Sequence, residues 1–154
     1  MTDEDLAALD RQLVASEARR TYLYDDATGR RITQGSTVVG HPTWGIGFNC
    51  DAIDFTEAAI DAQYAAVRTR TINEVFNALP WTQQLPVGPL RAVIDVAYNA
   101  GVHGLLGFHQ MLAALERGDY ETAAVDVTRS RLEPHRAARL AVLIRQGAGT
   151  RTIV

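Results

Sequence analysis

Two carboxylates near the start of the chain stand where acid–base chemistry could use them. Glu17 follows Leu6, Leu9 and Leu13 at steps of three and four residues, so it extends the apolar face of a predicted helix. A carboxyl group at the buried edge of a helix loses hydration, which disfavours its charged form and raises its pKa. We therefore expect Glu17 to hold a proton near neutral pH and to act as an acid.

The second carboxylate belongs to the pair Asp25 and Asp26, at the point where a predicted strand enters a turn at residues 27–29. At least one of the pair should be hydrated and ionised. Two carboxylates in unlike environments can divide the roles of proton donor and of base or electrostatic stabiliser, as hydrolysis of a glycosidic bond requires. Both carboxylates also have non-catalytic alternatives. Glu17 could form an ion pair with Arg136 or Arg139, and Asp25 and Asp26 could serve only to form a turn.

Helices are predicted on both sides of a short strand-rich region. Apolar spacing predicts a helix over residues 3–17 and a long helix over residues 55–78, while β-branched and aromatic residues broken by glycines over 21–49 predict an antiparallel sheet. Further helices are predicted over about 88–98, over 108–117, from Asp119 onward and over 134–146. The sequence thus predicts an α+β fold that is mostly α-helical, with a small N-terminal sheet.

Composition narrows the classes of protein to consider. A chain of 154 residues with 47% hydrophobic content can bury its own core, and its length fits one domain or two closely packed lobes. The net charge of −3 argues against a general nucleic-acid binder. Acids outnumber arginines 11 to 5 through Asp61, whereas ten arginines face seven acids afterwards. This asymmetry predicts two lobes around a cleft, with chance scatter over a hydrated surface as the alternative.

Cysteine, histidine and hydropathy patterns predict no covalent, metal or membrane anchor. Cys50 is the single cysteine, and the start of the chain has no apolar run long enough for a signal peptide or a membrane span. The four histidines lack the close pairing of common zinc motifs. We expect a soluble protein made in a reducing compartment, without a metal site, without stable membrane insertion and without a nucleic-acid partner.

A resemblance to a known family runs through most of the chain. Glu17, then Asp26, then TWGIG at residues 43–47 follow the order of the Glu, Asp and Thr-Ile-Gly-Ile-Gly of that family. Later matches are AYNAG at 97–101, GF at 107–108, LERGDYETAA at 115–124, SR at 130–131 and PHRAAR at 134–139. With these motifs in this order, the chain resembles the phage-type lysozymes of glycoside hydrolase family 24, endolysins that degrade the bacterial cell wall.

The resemblance implies a fold and a reaction. The fold would be one lysozyme-like domain over residues 1–154, with a sheet-containing lobe over 18–55 and a helical lobe over 80–147. The helix over 55–78 would join the lobes, and the helix over 3–17 would pack on the helical lobe. The reaction would be cleavage of the β-1,4 bond between N-acetylmuramic acid and N-acetylglucosamine in peptidoglycan, without a cofactor.

Residue roles are implied in the same way. Glu17 resembles the general acid, Asp26 the carboxylate across the cleft and Thr43 the residue that helps place the attacking water. Asn99 resembles a cleft-facing amide and Arg136 an arginine that pairs with the catalytic glutamate. The positions that match substrate-binding residues are Asn99, Phe108, Arg136 and Trp44, although packing beneath the sheet is an alternative role for the Trp44 ring.

The chain departs from the family most clearly between Asp26 and Thr43, which sixteen residues separate. The T-even phage enzymes have only a handful there. Residues 30–41, here called the insertion, either contact substrate or form a surface loop without a functional role. The longer spacing also leaves Asp25 as an alternative to Asp26, and spacing from Glu17 favours Asp26.

Two other functions fit the same residues. A lytic transglycosylase would cut the same bond by closing an anhydro sugar, and a non-catalytic lysozyme-fold module of a phage particle would only bind glycan or fill a structural place. The presence of Asp26 and Thr43 favours the route that uses water. Because the sequence shows no signal sequence or membrane anchor, we expect a monomer synthesised in the bacterial host cytoplasm. It would reach the cell wall through a membrane lesion made by a holin-like partner, with delivery on a virion as the alternative.

Overall fold

The computed structural model describes residues 2–17 and 19–149, without the side chains of Ser16 and Glu17. The structure is mostly α-helical, at 64%, with one small three-stranded antiparallel sheet, so the predicted α+β class is confirmed. It divides into two compact units, residues 1–59 and 60–154. None of the described helices combines the length and apolar composition that a transmembrane span requires.

Helix α1 (Asp3–Glu17) opens the first unit, as predicted. The Thr2 hydroxyl accepts the Asp5 N–H while the Asp5 carboxylate accepts the Thr2 N–H, a reciprocal arrangement that stabilises a helix start. Leu6, Leu9 and Leu13 lie on one face of α1 and are 37–47% exposed, so the first unit by itself does not bury this stripe. The packing of this helix on the helical lobe stays a prediction.

The sheet consists of β1 (Arg20–Asp25), β2 (Pro42–Gly45) and β3 (Phe48–Asn49), in that spatial order. Strand β1 pairs with β2 so that Tyr24 lies opposite Thr43. Gly45 has a φ of 66°, and a Cβ there would lie 2.7 Å from the Phe48 ring. Glycine therefore permits the tight β2–β3 turn.

The insertion begins by pairing with the outer edge of β1. The Ile32 N–H donates to the Leu23 carbonyl and the Asp25 N–H donates to the Arg30 carbonyl, both at 2.9 Å. The insertion then returns to the end of the same strand, where the Asp26 N–H donates to the His41 carbonyl at 3.1 Å. Its start therefore satisfies backbone groups that an exposed edge strand would leave unpaired.

The second unit holds most of the helices. Helix α2 (Glu57–Ala78) starts just before it, and the Thr56 hydroxyl accepts the Ala59 N–H at the helix start. A 3₁₀ turn (Pro80–Gln84) and helices α3 (Val87–Leu106), α4 (His109–Glu116), α5 (Tyr120–Thr128) and α6 (Pro134–Arg145) follow. Gly101, with a φ of 71°, interrupts α3, and helix resumes beyond it where the sequence predicted only a loop.

The hydrophobic core of the described residues lies in the second unit. It is built by α2 to α6 from aliphatic, alanine and methionine side chains: Val75, Ala92, Val93, Val96, Ala97, Leu105, Met111, Leu112, Ala114, Leu115, Ala123, Ala124, Val127, Leu140, Ala141 and Ile144. The many alanines bring α5 and α6 close together. Arg145 and Glu121 join the two helices through two hydrogen bonds of 2.8 Å.

Helix α6 offers a matched pair of substitutions that tests this core. Ile144 is fully buried, whereas Val142 on the same helix is 58% exposed. We expect Ile144→Ala to lower the free energy of unfolding by about 2–5 kcal/mol, because it removes apolar contacts and leaves a cavity. Val142→Ala should change it by less than about 1 kcal/mol. Urea unfolding measures both, and equal losses in the two variants would contradict the described packing.

Candidate functional site

Asp26 is the accessible member of the aspartate pair. Its side chain is exposed, and one carboxylate oxygen, Oδ1, accepts the His41 N–H at 2.7 Å. The position follows from the end of β1, where the chain leaves the sheet and the next register pair would be Asp26 with His41. The carboxylate is therefore oriented by a main-chain N–H while the residue stays open to solvent.

Asp25 has a structural role instead. Its carboxylate is 3% exposed and accepts three main-chain N–H groups, from Ala27 at 3.1 Å, Val39 at 3.0 Å and Gly40 at 2.9 Å. The Val39 N–H is the main cause that holds the pKa of Asp25 below its ordinary value, against the opposing effect of burial. Both of its oxygens are therefore committed to the backbone of the first unit.

Thr43 lies next to this network but is not open to solvent. It is 3% exposed, and its hydroxyl donates to the His41 carbonyl at 3.2 Å. The same carbonyl accepts the Asp26 N–H. The His41 carbonyl thus connects two residues that sixteen others separate in the sequence. The role of Thr43 in placing water stays a prediction.

Trp44 is packed within the first unit. Its ring centroid lies 5.8 Å from those of Phe48 and Phe55, and its indole nitrogen is buried without a hydrogen-bond partner. These contacts agree with packing, one of the two roles predicted for Trp44. A part in sugar binding for this small aromatic cluster stays a prediction.

Glu17 is the last residue of α1, but its side chain lies outside the described residues. Its protonation, its pairing with an arginine and its distance from Asp26 therefore stay predictions. Along the chain, α1 ends at Glu17, β1 begins at Arg20, and Asp26 is the first residue after β1.

The predicted residues of the second unit meet through a residue that the sequence analysis missed. The Asn99 amide donates to the Asp95 carbonyl at 3.0 Å, with the Asp95 carboxylate at 3.4 Å. The Arg136 guanidinium lies 3.6 Å from that same carboxylate. Asp95 thus connects Asn99 of α3 with Arg136 of α6. Asp95 precedes Asn99 by four residues, and this helical spacing could have indicated that the two side chains are neighbours.

Phe108 lies at a cavity of about 490 Å³ in the second unit. The ring also packs partly against the core. The cavity is lined by Gly104, Gly107, Phe108, His109, Gln110, Asp126, Arg129, Ser130 and Arg131. The lining contains two guanidinium groups, of Arg129 and Arg131, and one carboxylate, of Asp126, so its charge favours an anionic ligand.

His41 and Asp51 form a further pair that sequence reasoning did not find. The His41 Nδ1 atom lies 2.9 Å from an Asp51 carboxylate oxygen. The hydrogen bond that the Asp51 carboxylate accepts from the His41 ring is the largest cause that raises the pKa of His41, and the charge of Asp26 is the next. His41 therefore lies at the centre of the polar network of the first unit.

Comparison with known proteins assigns the chain to no family. The chain matches no known protein-family model, and no curated protein matches it. Within the described ranges, 2–17 and 19–149, no group of three His, Cys, Asp or Glu side chains is placed to hold a metal ion. Any functional conclusion therefore depends on the residues and their geometry.

The role of Asp25 predicts an acid-dependent stability. Because its pKa is lowered in the folded protein, its contribution is fully present above its ordinary pKa of 3.8 and is lost as pH falls through the folded value. We expect Asp25→Asn to lower the melting temperature by several degrees at pH 7, with a smaller difference from wild type at strongly acidic pH. Asp26→Asn, with one accepted N–H, is the control.

Hydrogen exchange localises the same effect. The Val39 and Gly40 amides should lose protection in Asp25→Asn and keep it in Asp26→Asn, because an asparagine side chain has one acceptor oxygen in place of two. Unchanged protection of both amides in Asp25→Asn would contradict the structural role of this carboxylate.

Proposed function

We propose that the protein is a peptidoglycan hydrolase, an N-acetylmuramidase of the endolysin type. The observation that carries the proposal is the placement of Asp26. It is the exposed, oriented carboxylate at the end of β1, nine residues after the glutamate that ends α1. The ordered family motifs and the mostly helical α+β architecture support it as well.

In the proposed reaction, the Glu17 carboxyl group gives its proton to the glycosidic oxygen as the bond from that oxygen to the anomeric carbon breaks. A water molecule adds to the anomeric carbon, and its proton goes to Asp26. Asp26 then loses this proton to solvent and Glu17 regains one, so the net reaction consumes one glycosidic bond and one water and leaves two separate sugar ends. Thr43 would act on this water through its hydroxyl oxygen, beside the peptide group that also contacts Asp26.

The proposal includes the finer architecture and setting that the resemblance implies. The sheet-containing part and the helical part would form lysozyme-like lobes joined by the long helix, with Asn99, Arg136, Phe108 and Trp44 contributing to glycan binding. The protein would act as a monomer on the cell wall after holin-assisted release from the cytoplasm in which it is made. Asp95 would keep the Asn99 and Arg136 side chains in place for this binding.

Glu17→Gln tests the general acid. We expect the rate of muropeptide release from purified sacculi to fall by about 10²–10⁴-fold, because the amide has no acidic proton to give to the leaving oxygen. Glu4→Gln, on the first turn of the same helix, makes the same chemical change at an exposed position and should keep the wild-type rate. A Glu17→Gln protein as active as Glu4→Gln would refute the assigned acid. A wild type that releases nothing would favour a non-catalytic module.

Substitutions in the wall of the cavity beside Phe108 test whether anionic peptidoglycan binds there. The double change Arg129→Gln and Arg131→Gln should raise KM for sacculi by about fivefold and leave kcat within twofold, since it removes two cations from the cavity wall. Arg91→Gln with Arg117→Gln changes the net charge equally at exposed positions elsewhere on the second unit. Equal effects in the two double variants would show general electrostatic attraction and exclude a specific contribution from the cavity.

A further inference from the structure

The main chain at residues 39–41, here called the return segment, lies against both aspartates at the end of β1. The Asp26 N–H donates to the His41 carbonyl, and the His41 N–H donates back to the Asp26 carboxylate. In a regular antiparallel ladder, such a pair exchanges two bonds between backbone groups. Here the side chain of Asp26 accepts the second bond, so its carboxylate is built into the sheet hydrogen bonding.

Gly40 makes room for this arrangement. A Cβ atom at residue 40 would overlap the Asp26 carboxylate oxygen and lie 2.7 Å from the Cβ of Ala27. The Gly40 N–H also donates to Asp25, which keeps the peptide group close to the aspartates. Glycine is therefore the residue that allows the backbone to approach the carboxylate of Asp26.

His41 is itself held from several sides. Its ring contacts Asp51, in the turn after β3, and its carbonyl accepts the Thr43 hydroxyl. The charged groups that act on its ring are Asp25, Asp26 and Asp51, all of which favour the protonated imidazole. These contacts restrict the His41 peptide and hence the N–H that it directs at Asp26.

We propose that Gly40 and His41 are positioning residues for Asp26, and that this is the function of the return end of the insertion. The insertion then has a role other than substrate contact or a loop without function, because its last residues orient a reacting carboxylate. The proposal rests on the proposed function for what Asp26 does, but the geometry that it asserts is measurable without any substrate.

The substrate-free test is a pH titration of the His41 amide by ¹H–¹⁵N NMR. An amide that donates to a carboxylate should shift as that carboxyl group gains its proton. We expect a transition at the His41 amide in wild type that disappears in Asp26→Asn and persists in Asp51→Asn. A His41 amide with the same transition in wild type and Asp26→Asn would overturn the proposal.

The kinetic test uses Gly40→Ala. We expect kcat on sacculi to fall by about 10–10²-fold, with KM within twofold of wild type, because the methyl group displaces the Asp26 carboxylate from its reacting position. Gly35→Asn is the control in the same insertion. No atom lies within 4 Å of the position of its Cβ, and asparagine tolerates its φ of 82°. A folded Gly40→Ala protein with wild-type kcat would overturn the proposal.

A second variant covers the case in which Gly40→Ala fails to fold. His41→Ala keeps the N–H but removes the contact with Asp51, so we expect a smaller amide transition at residue 41 and a severalfold lower kcat. Wild-type values for both would count against the proposal. If wild type releases no muropeptides but the His41 amide titrates with Asp26, the hydrolase function is wrong and the positioning of Asp26 still holds.

Discussion

The carboxylate of Asp25 accepts three main-chain N–H groups, one from the turn that follows β1 and two from residues that return to it after more than ten positions. A buried carboxylate without partners would be costly, but here the N–H dipoles replace its hydration. Among the described side chains of residues 2–59, the buried ones are Tyr24, Asp25 and Thr43. The first unit therefore depends on hydrogen bonds where the second depends on an apolar core.

This constraint determines what Asp26 can do. Because Asp25 fixes the return segment, the backbone of His41 lies beside Asp26, where its carbonyl accepts the Asp26 N–H and its N–H donates to the Asp26 carboxylate. The two adjacent aspartates thus differ in role. Asp25 is buried and holds the return segment, whereas Asp26 is exposed and oriented. Thr43 reaches the same peptide from the neighbouring strand. A site that needs an oriented carboxylate is in this way built on a sheet of only three short strands.

The sequence predicted those features that depend on local pattern. Helical periodicity located α1 and α2, and the predicted helix start at Asp119 is confirmed, since its carboxylate accepts the Thr122 N–H at 3.1 Å. Apolar spacing placed the α1 leucines on one face of the helix but did not identify the surface that would cover them. The contacts of His41 with Asp26 and Asp51 join residues ten or more positions apart in a segment without periodicity. No local pattern could predict them.

The central proposal is that the protein adds water to a glycosidic bond. Digestion of purified sacculi in ¹⁸O-labelled water, followed by mass spectrometry of the products, tests this most directly. We expect one ¹⁸O atom at each newly formed reducing-end N-acetylmuramic acid before exchange with unlabelled water. Anhydro-muramic products without the label, or reducing ends on N-acetylglucosamine instead, would contradict it.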